Sequence, residues 1–298
     1  HSKNGGGLSL FRVDGPVIEN LIVRNNTATM MGGGINIYSA NFSMEDVEIH
    51  DNLCFGTVYA GINDVGHGGG LFLNQTWGTM DNMNIHHNTA SMNGGGVWSS
   101  EGSAWTMTNS NVSDNIAPYN GGGFGFWNHN GEDLNATLIN VTIENNTAQP
   151  GWFVGHGGGV WANNSNTVFQ DCIIRNNTAG GNGGGINYFE GGWPELYNCV
   201  IDGNTSNAAG GGVYIHDDGG WNNNGLTMDR CLVTNNSSTT YSAAIASAGN
   251  AGINRITNST IVGNSGGGAA VEAYNASGLE VFNSIIWGNS PSNFDNQY

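Results

Sequence analysis

A glycine triplet followed by an apolar residue recurs at Gly5–Leu8, Gly32–Ile35, Gly68–Leu71, Gly94–Val97, Gly121–Phe124, Gly157–Val160, Gly183–Ile186 and Gly210–Val213. The starts are 27, 36, 26, 27, 36, 26 and 27 residues apart, and degenerate copies follow near Ala243–Ile245 and Gly266–Gly268. Periods of 20–50 residues mark chains in which each repeat buries its apolar face only against its neighbours.

A second block lies between the triplets, as in LINVTIENNTA (138–148) and FQDCIIRNNTA (169–179). Its final Asn anchors ten copies, at 26, 52, 88, 115, 146, 177, 204, 236, 264 and 289. Three residues before each anchor stands a β-branched apolar residue (Val23, Ile49, Ile85, Val112, Ile143, Ile174, Ile201, Val233, Ile261, Ile286). Five before it the residue is small or apolar, and eight before it apolar (Met44, Met80, Met107, Leu138, Phe169 among them). Apolar positions two apart in short runs punctuated by Gly and Asn are strands, not helices. Each repeat therefore supplies about three short strands closing one coil. Coils pairing in parallel about 4.8 Å apart build a rod on the order of 50 Å long. Six residues before the anchor, seven of ten positions are Asn, from Asn20 to Asn283. Stacked amides donate and accept at once, and Asn tolerates a left-handed corner. The prediction is an all-β, right-handed single-stranded parallel β-helix of about ten coils. It forms one domain over 1–298, with longer loops near 53–67, 149–156 and 216–225.

Fifty Gly and 47 Asn would point to disorder but for the 38% of hydrophobic residues available for a core. Six Lys and Arg against 23 Asp and Glu give a net charge of −17, which opposes nucleic acid and anionic membrane surfaces as partners. No run of 18 apolar residues offers a transmembrane helix. The chain opens on His1, with no signal peptide in view, and reads as a mature or excised segment.

Gly-Gly-x-Φ elements alternating with Φ-x-x-Asn, as in Ile143-Glu144-Asn145-Asn146, resemble the repeats of the chlamydial polymorphic outer membrane proteins, with Ile or Val where that family favours Phe. The resemblance runs from Gly5 to Asn289 and includes no transporter barrel. The pattern is also similar to secreted bacterial β-helix proteins of the pectate-lyase-like superfamily. It implies a surface-displayed, adhesive or structural role, with polysaccharide binding, or cleavage by a lyase or hydrolase, as the alternative.

The candidate chemistry is sparse. A lyase would need an Arg or Lys base, and the six basic residues are scattered. A hydrolase would need clustered carboxylates on adjacent coils. Glu19, Glu45 and Asp81 share an outward column and are the best such group, near Glu48 and a second column of Arg24, His50 and His86. Stacked carboxylates would raise one pKa or hold a cation, Ca²⁺ foremost; a solvated acidic face is the simpler reading. Asp217 and Asp218 form a weak calcium candidate. His67 and His156 both sit in Gly-His-Gly-Gly-Gly, about 15 Å apart at the coil spacing, and suit loop-closing hydrogen bonds rather than one shared metal. Cys172, Cys199 and Cys231 fall in one inward column, where small apolar packing competes with a disulfide; Cys54 belongs to another column.

Phe72, Trp98, Trp161 and Tyr214 occupy one outward position after the triplets and are expected to face solvent as a contact surface. Glycosylation sequons number 14, at Asn25, Asn41, Asn74, Asn111, Asn135, Asn140, Asn145, Asn163, Asn176, Asn204, Asn235, Asn236, Asn258 and Asn275. Asn25, Asn145, Asn176 and Asn235 fall in one solvent-facing column. Open solenoid ends suggest head-to-tail stacking into filaments. The expected protein is a non-enzymatic, extracellular or surface-displayed β-helix that partners itself or carbohydrate.

Overall fold

The computed structural model describes residues 2–56, 65–129, 133–149, 154–217, 225–249, 252–274 and 278–296. Among these every regular element is a strand, and every strand pair is parallel. The segment after each glycine triplet forms one stack, with Leu8–Phe11, Ile35–Tyr38, Leu71–Asn74, Val97–Ser100 and Phe124–Trp127 paired in register. A second stack holds Asn41–His50, Trp77–Asp81, Ala104–Thr108 and Asn135–Ile139. A third holds Asn84–His86, Asn111–Ser113 and Thr142–Glu144, paired with the end of Asn41–His50. Short strands such as Thr89–Ala90 and Thr147–Ala148 follow the anchors from Asn26 to Asn236 and, with Ser2–Asn4, form a separate nine-stranded sheet. The chain is thus a parallel β-solenoid of about ten turns, as its repeats predict.

Every inward column of the repeat is in the core. Ile49, Ile85, Val112, Ile143, Ile174, Ile201, Val233 and Ile261 are fully buried, as are Met80, Met107, Leu138 and Phe169. These side chains join one hydrophobic cluster running the length of the rod. Cys172, Cys199 and Cys231 lie within it as free thiols, their Sγ atoms donating to the carbonyls of Leu138, Phe169 and Leu196 at 3.3–3.5 Å. They pack as small apolar groups rather than as a disulfide.

The anchor asparagines form an unbroken ladder from Asn26 to Asn289. At Asn146, Oδ1 accepts the Asn115 backbone N–H and side-chain amide, both at 3.0 Å. Its Nδ2 donates to Val112 O at 2.9 Å and to Asn177 Oδ1 at 3.0 Å. Buried amides are tolerated because each donor and acceptor is matched by an adjacent coil. The glycine triplets abut this ladder. Gly68 has φ +67°, while a Cβ on Gly69 would lie 2.3 Å from Gly95 O and one on Gly70 3.0 Å from Asn88 Nδ2.

All ten residues at the second Asn column, from Asn20 (φ 51°) to Asn283 (φ 47°), are left-handed, Arg230 and the two Asp included. A further left-handed corner precedes every anchor, at Asn25, Asp51, His87, Asp114, Asn145, Asn176, Gly203, Asn235, Gly263 and Gly288. These are the residue types that reach positive φ most cheaply. Much of the three longer loops, including Asp218, Trp152 and Trp221, lies outside the described residues, as does Asn275.

Candidate functional site

The outward side of the glycine-triplet sheet carries the aromatic residues. Alternation along each strand turns its second and fourth residues outward, so register stacks Asn36, Phe72, Trp98, Gly125, Trp161, Asn187 and Tyr214 in one column. Asn74, Ser100, Trp127, Asn163, Phe189 and His216 form the column beside it.

The expected solvent-facing stripe is corrected here. Phe72, Trp98 and Trp161 do point away from the coil interior, yet they are only 5%, 3% and 8% exposed, and Tyr214 is half-buried. Together with Met31 and Trp127, the first three make a second apolar cluster outside the coil. Trp98 and Trp161 stack at 6.0 Å and 9° although a coil separates them. Gly125 makes this possible, since a Cβ there would lie 2.3 Å from Trp98 Cε3. Trp127 presents its edge to both rings, and His67 stacks on Trp98 at 4.7 Å.

Two clefts flank this wall. One, about 420 Å³, is lined by Asn120, His156, Trp161, Asn182, Asn187, Phe189, Tyr214 and His216. The Phe189 and His216 rings stack at 5.3 Å and 7°, and His216 is parallel to Tyr214. The other, about 240 Å³, lies against Met31, His67, Phe72, Asn74, Trp98, Ser100, Glu101, Trp127 and His129. Asn74 is buried there, its Nδ2 donating to Ser100 Oγ at 2.8 Å while its Oδ1 has no partner. Among the described residues no Lys or Arg lines either cleft. A third hollow, about 880 Å³, is an open bay past the C-terminal end of the triplet strands, beside the half-exposed Trp77. It has one aromatic wall and mostly small polar lining, so the flanked clefts are the better-built sites.

The residue just before five consecutive triplets, from His67 to Asn182, forms a further polar column. Asn93 Oδ1 accepts from Asn120 N, Asn120 Oδ1 from His156 N, His156 Nδ1 from Asn182 N at 3.0 Å, and Asn182 Oδ1 from Ala209 N. His67 Nδ1 meets Asn93 Nδ2 at 3.2 Å. The two histidines thus close loops through hydrogen bonds, as their motif suggests, while standing in for asparagine. Burial lowers the His156 pKa, and acceptance at Nδ1 places the neutral ring's proton on Nε2.

Glu19, Glu45 and Asp81 do share one column, on the next face of the coil. Asp81, however, accepts from Thr108 Oγ1 and from Asn109 Nδ2 at 2.8 Å, and these donors hold its carboxyl below the usual range. Asp229 repeats the arrangement with Asn258 and Thr257, and Asp171 with Asn198. Asp81 is therefore not the raised member of the group: it is fastened as an anion between coils, the wrong state for a general acid. Arg24, His50 and His86 also align as expected. Asp217 is buried at the end of Val213–Asp217, and its calcium partner Asp218 is outside the described residues. Among the described residues no three His, Cys, Asp or Glu converge on one metal position.

The sequons divide. Asn204 and Asn236 are ladder rungs with no exposed surface, and Asn74 is buried in the second cleft, so these three expectations are overturned. Asn25, Asn41, Asn135, Asn140, Asn145, Asn176, Asn235 and Asn258 are exposed, and Asn111 and Asn163 half-buried.

The family model described as the right-handed beta helix region matches residues 67–253 and 140–286. No curated protein and no solved structure matches the chain. Its parallel coils, continuous core and matched repeats together show that the chain belongs to the right-handed β-helix region family.

Proposed function

We propose that this chain is an adhesive β-helix protein displayed outside the cell, and that it binds a neutral polysaccharide without cleaving it. One observation carries the reading: the 420 Å³ cleft combines the rings of Trp161, Phe189, Tyr214 and His216 with the amides of Asn120, Asn182 and Asn187. Sugar rings offer an apolar face to aromatic side chains and a rim of hydroxyls to amides. A net charge of −17 and clefts without Lys or Arg disfavour uronate or sulfated polymers. Binding without turnover is supported by the described lining of the cleft, which holds no carboxylate, while Glu19, Glu45 and Asp81 sit on another face. The likeness to polymorphic outer membrane protein repeats supports display at a surface. The exposed sequon column at Asn25, Asn145, Asn176 and Asn235 supports a glycosylated exterior.

The test is retention on insoluble neutral glycans (cellulose, mannan, xylan) against polygalacturonate, with reducing ends assayed with and without Ca²⁺. Binding to a neutral polymer, weakened at least tenfold by Trp161→Ala, is expected. Retention of none of these polymers refutes the binding reading. Product release abolished by Glu45→Gln and Asp81→Asn refutes its non-catalytic part.

A further inference from the structure

Consecutive strand residues point to opposite faces, but His86 and His87 do not. His87 occupies the left-handed corner before the ladder, at φ 53°, and this turn brings its ring to the same outer side as His86. Their Nδ1 atoms stand 2.8 Å apart, with ring centroids 5.1 Å apart and the planes at 85°. The pair is open to solvent, His87 being exposed and His86 half-buried.

We propose that His86 and His87 form a two-point chelating site for a divalent transition metal of the copper or nickel class. Metal–imidazole bonds are about 2.0 Å, so two nitrogens at right angles around one ion are about 2.8 Å apart, whereas tetrahedral ligands stand about 3.3 Å apart. The observed separation fits the square or tetragonal geometry that Cu(II) and Ni(II) prefer for nitrogen ligands. A neighbouring carboxylate prepares the first ligand: Glu48 Oε1 lies 3.1 Å from His86 Nε2. That contact holds the Glu48 carboxyl below its usual range, keeps the His86 proton on Nε2 and leaves Nδ1 a bare lone pair. A carboxylate behind the ligating ring is the usual way a protein orients a metal-binding histidine. In the metal-free pair His87 donates its Nδ1 proton to His86; on binding, His87 takes the other tautomer, with its proton on Nε2, so both neutral rings present a bare Nδ1 and no net proton is released. His50 stacks flat on His86 at 4.9 Å and 5°, restricting the ring's rotation. Asp51 holds His50 Nδ1 at 2.7 Å and occupies the His87 corner one coil away, so two carboxylates offset the incoming charge. Water completes the coordination. The site lies on a different face from the aromatic clefts and is independent of glycan binding.

Titration of the full chain with CuCl₂ and with NiCl₂, read by calorimetry and, for copper, by electron paramagnetic resonance, tests this. One Cu(II) per chain is expected, with hyperfine structure from two equivalent imidazole nitrogens and tighter binding than Ni(II). His87→Ala and His86→Ala should each weaken binding at least tenfold, and His156→Asn should leave it unchanged. Glu48→Gln should weaken it several-fold while keeping the two-nitrogen spectrum. Both ligand positions are at the surface, so circular dichroism of the variants should match the parent. His87→Gly, which tolerates the left-handed corner that alanine strains, should lose copper binding as His87→Ala does, showing that the loss is not one of folding. A copper spectrum that is the same in His87→Ala as in the parent, or no binding beyond that of His86→Ala, overturns the proposal.

Discussion

Replacing Asn146 with alanine tests the ladder at its centre. The side chain is fully buried and takes part in four hydrogen bonds, accepting two from Asn115 and donating to Val112 O and Asn177 Oδ1. A typical buried hydrogen bond contributes about 1 kcal/mol net, so the lost bonds amount to about 4 kcal/mol. The Asn115 backbone N–H is also stranded, and an unmatched buried group adds about 1 kcal/mol or more. A loss of about 4–6 kcal/mol is expected, against total stabilities of about 5–15 kcal/mol for folded domains. Asn26→Ala is the comparison. At the outermost rung, the half-buried Asn26 donates to Arg24 O and Asn52 Oδ1 close to solvent, and water replaces it at a cost of about 1 kcal/mol. Asn146→Asp keeps the accepted bonds but turns an acceptor toward Val112 O and Asn177 Oδ1. Burial raises that carboxyl's folded pKa above its unfolded value, so its loss is full at neutral pH and shrinks as pH falls through the folded pKa. Urea unfolding followed by tryptophan fluorescence, with hydrogen exchange at the Asn115 amide, measures all three. Equal losses for Asn146→Ala and Asn26→Ala, or a loss under about 1 kcal/mol at Asn146, would refute the ladder as a main source of stability.

Gly125→Ala forces Trp98 off its stack with Trp161; a changed near-ultraviolet dichroism and at least fivefold weaker glycan retention are expected, measured on the same folded sample. His156 has a folded pKa below its unfolded value. Its contribution is therefore complete above about pH 6.5 and is lost as pH falls through the folded pKa. His156→Asn, the residue already used at Asn93, Asn120 and Asn182, should flatten melting temperature between pH 5 and pH 8 relative to the parent. Secretion from a glycosylating host should modify Asn25, Asn145, Asn176 and Asn235 but never Asn204 or Asn236, as peptide mass mapping will show. The Cys54 thiol is pushed up to about 12 by burial, and Cys172, Cys199 and Cys231 are also buried. A thiol reagent at pH 8 should therefore find no reactive cysteine until urea unfolds the chain.

The coil, its inward columns and the Asn ladder were legible in the sequence because each is a repeated answer to the same local demand. Ile143 and Ile174 are alike because they fill equivalent volumes, and Asn146 and Asn177 because one bonds the other. The site was less legible for the opposite reason. Alternation places Trp98 and Trp161 outside the coil, but whether an outward side chain meets water depends on neighbours such as Gly125, Trp127 and His67, which do not repeat. The polar column before the triplets was hidden by its mixed composition, in which His156 does an asparagine's work. The His86–His87 pair depended on a left-handed corner that apolar periodicity does not report.

The matched donor and acceptor faces of the ladder also define a unit of growth. Every rung donates its side-chain amide toward the next anchor in sequence, so the two cut surfaces of a removed coil fit each other. Excising residues 121–156 joins Asn120 to the triplet at Gly157 and leaves Asn115 facing Asn177 with donor and acceptor still correctly paired. In the ladder, length is therefore a free variable in whole coils, whereas the outer face is not: losing 121–156 also removes Gly125, which seats the Trp98 ring.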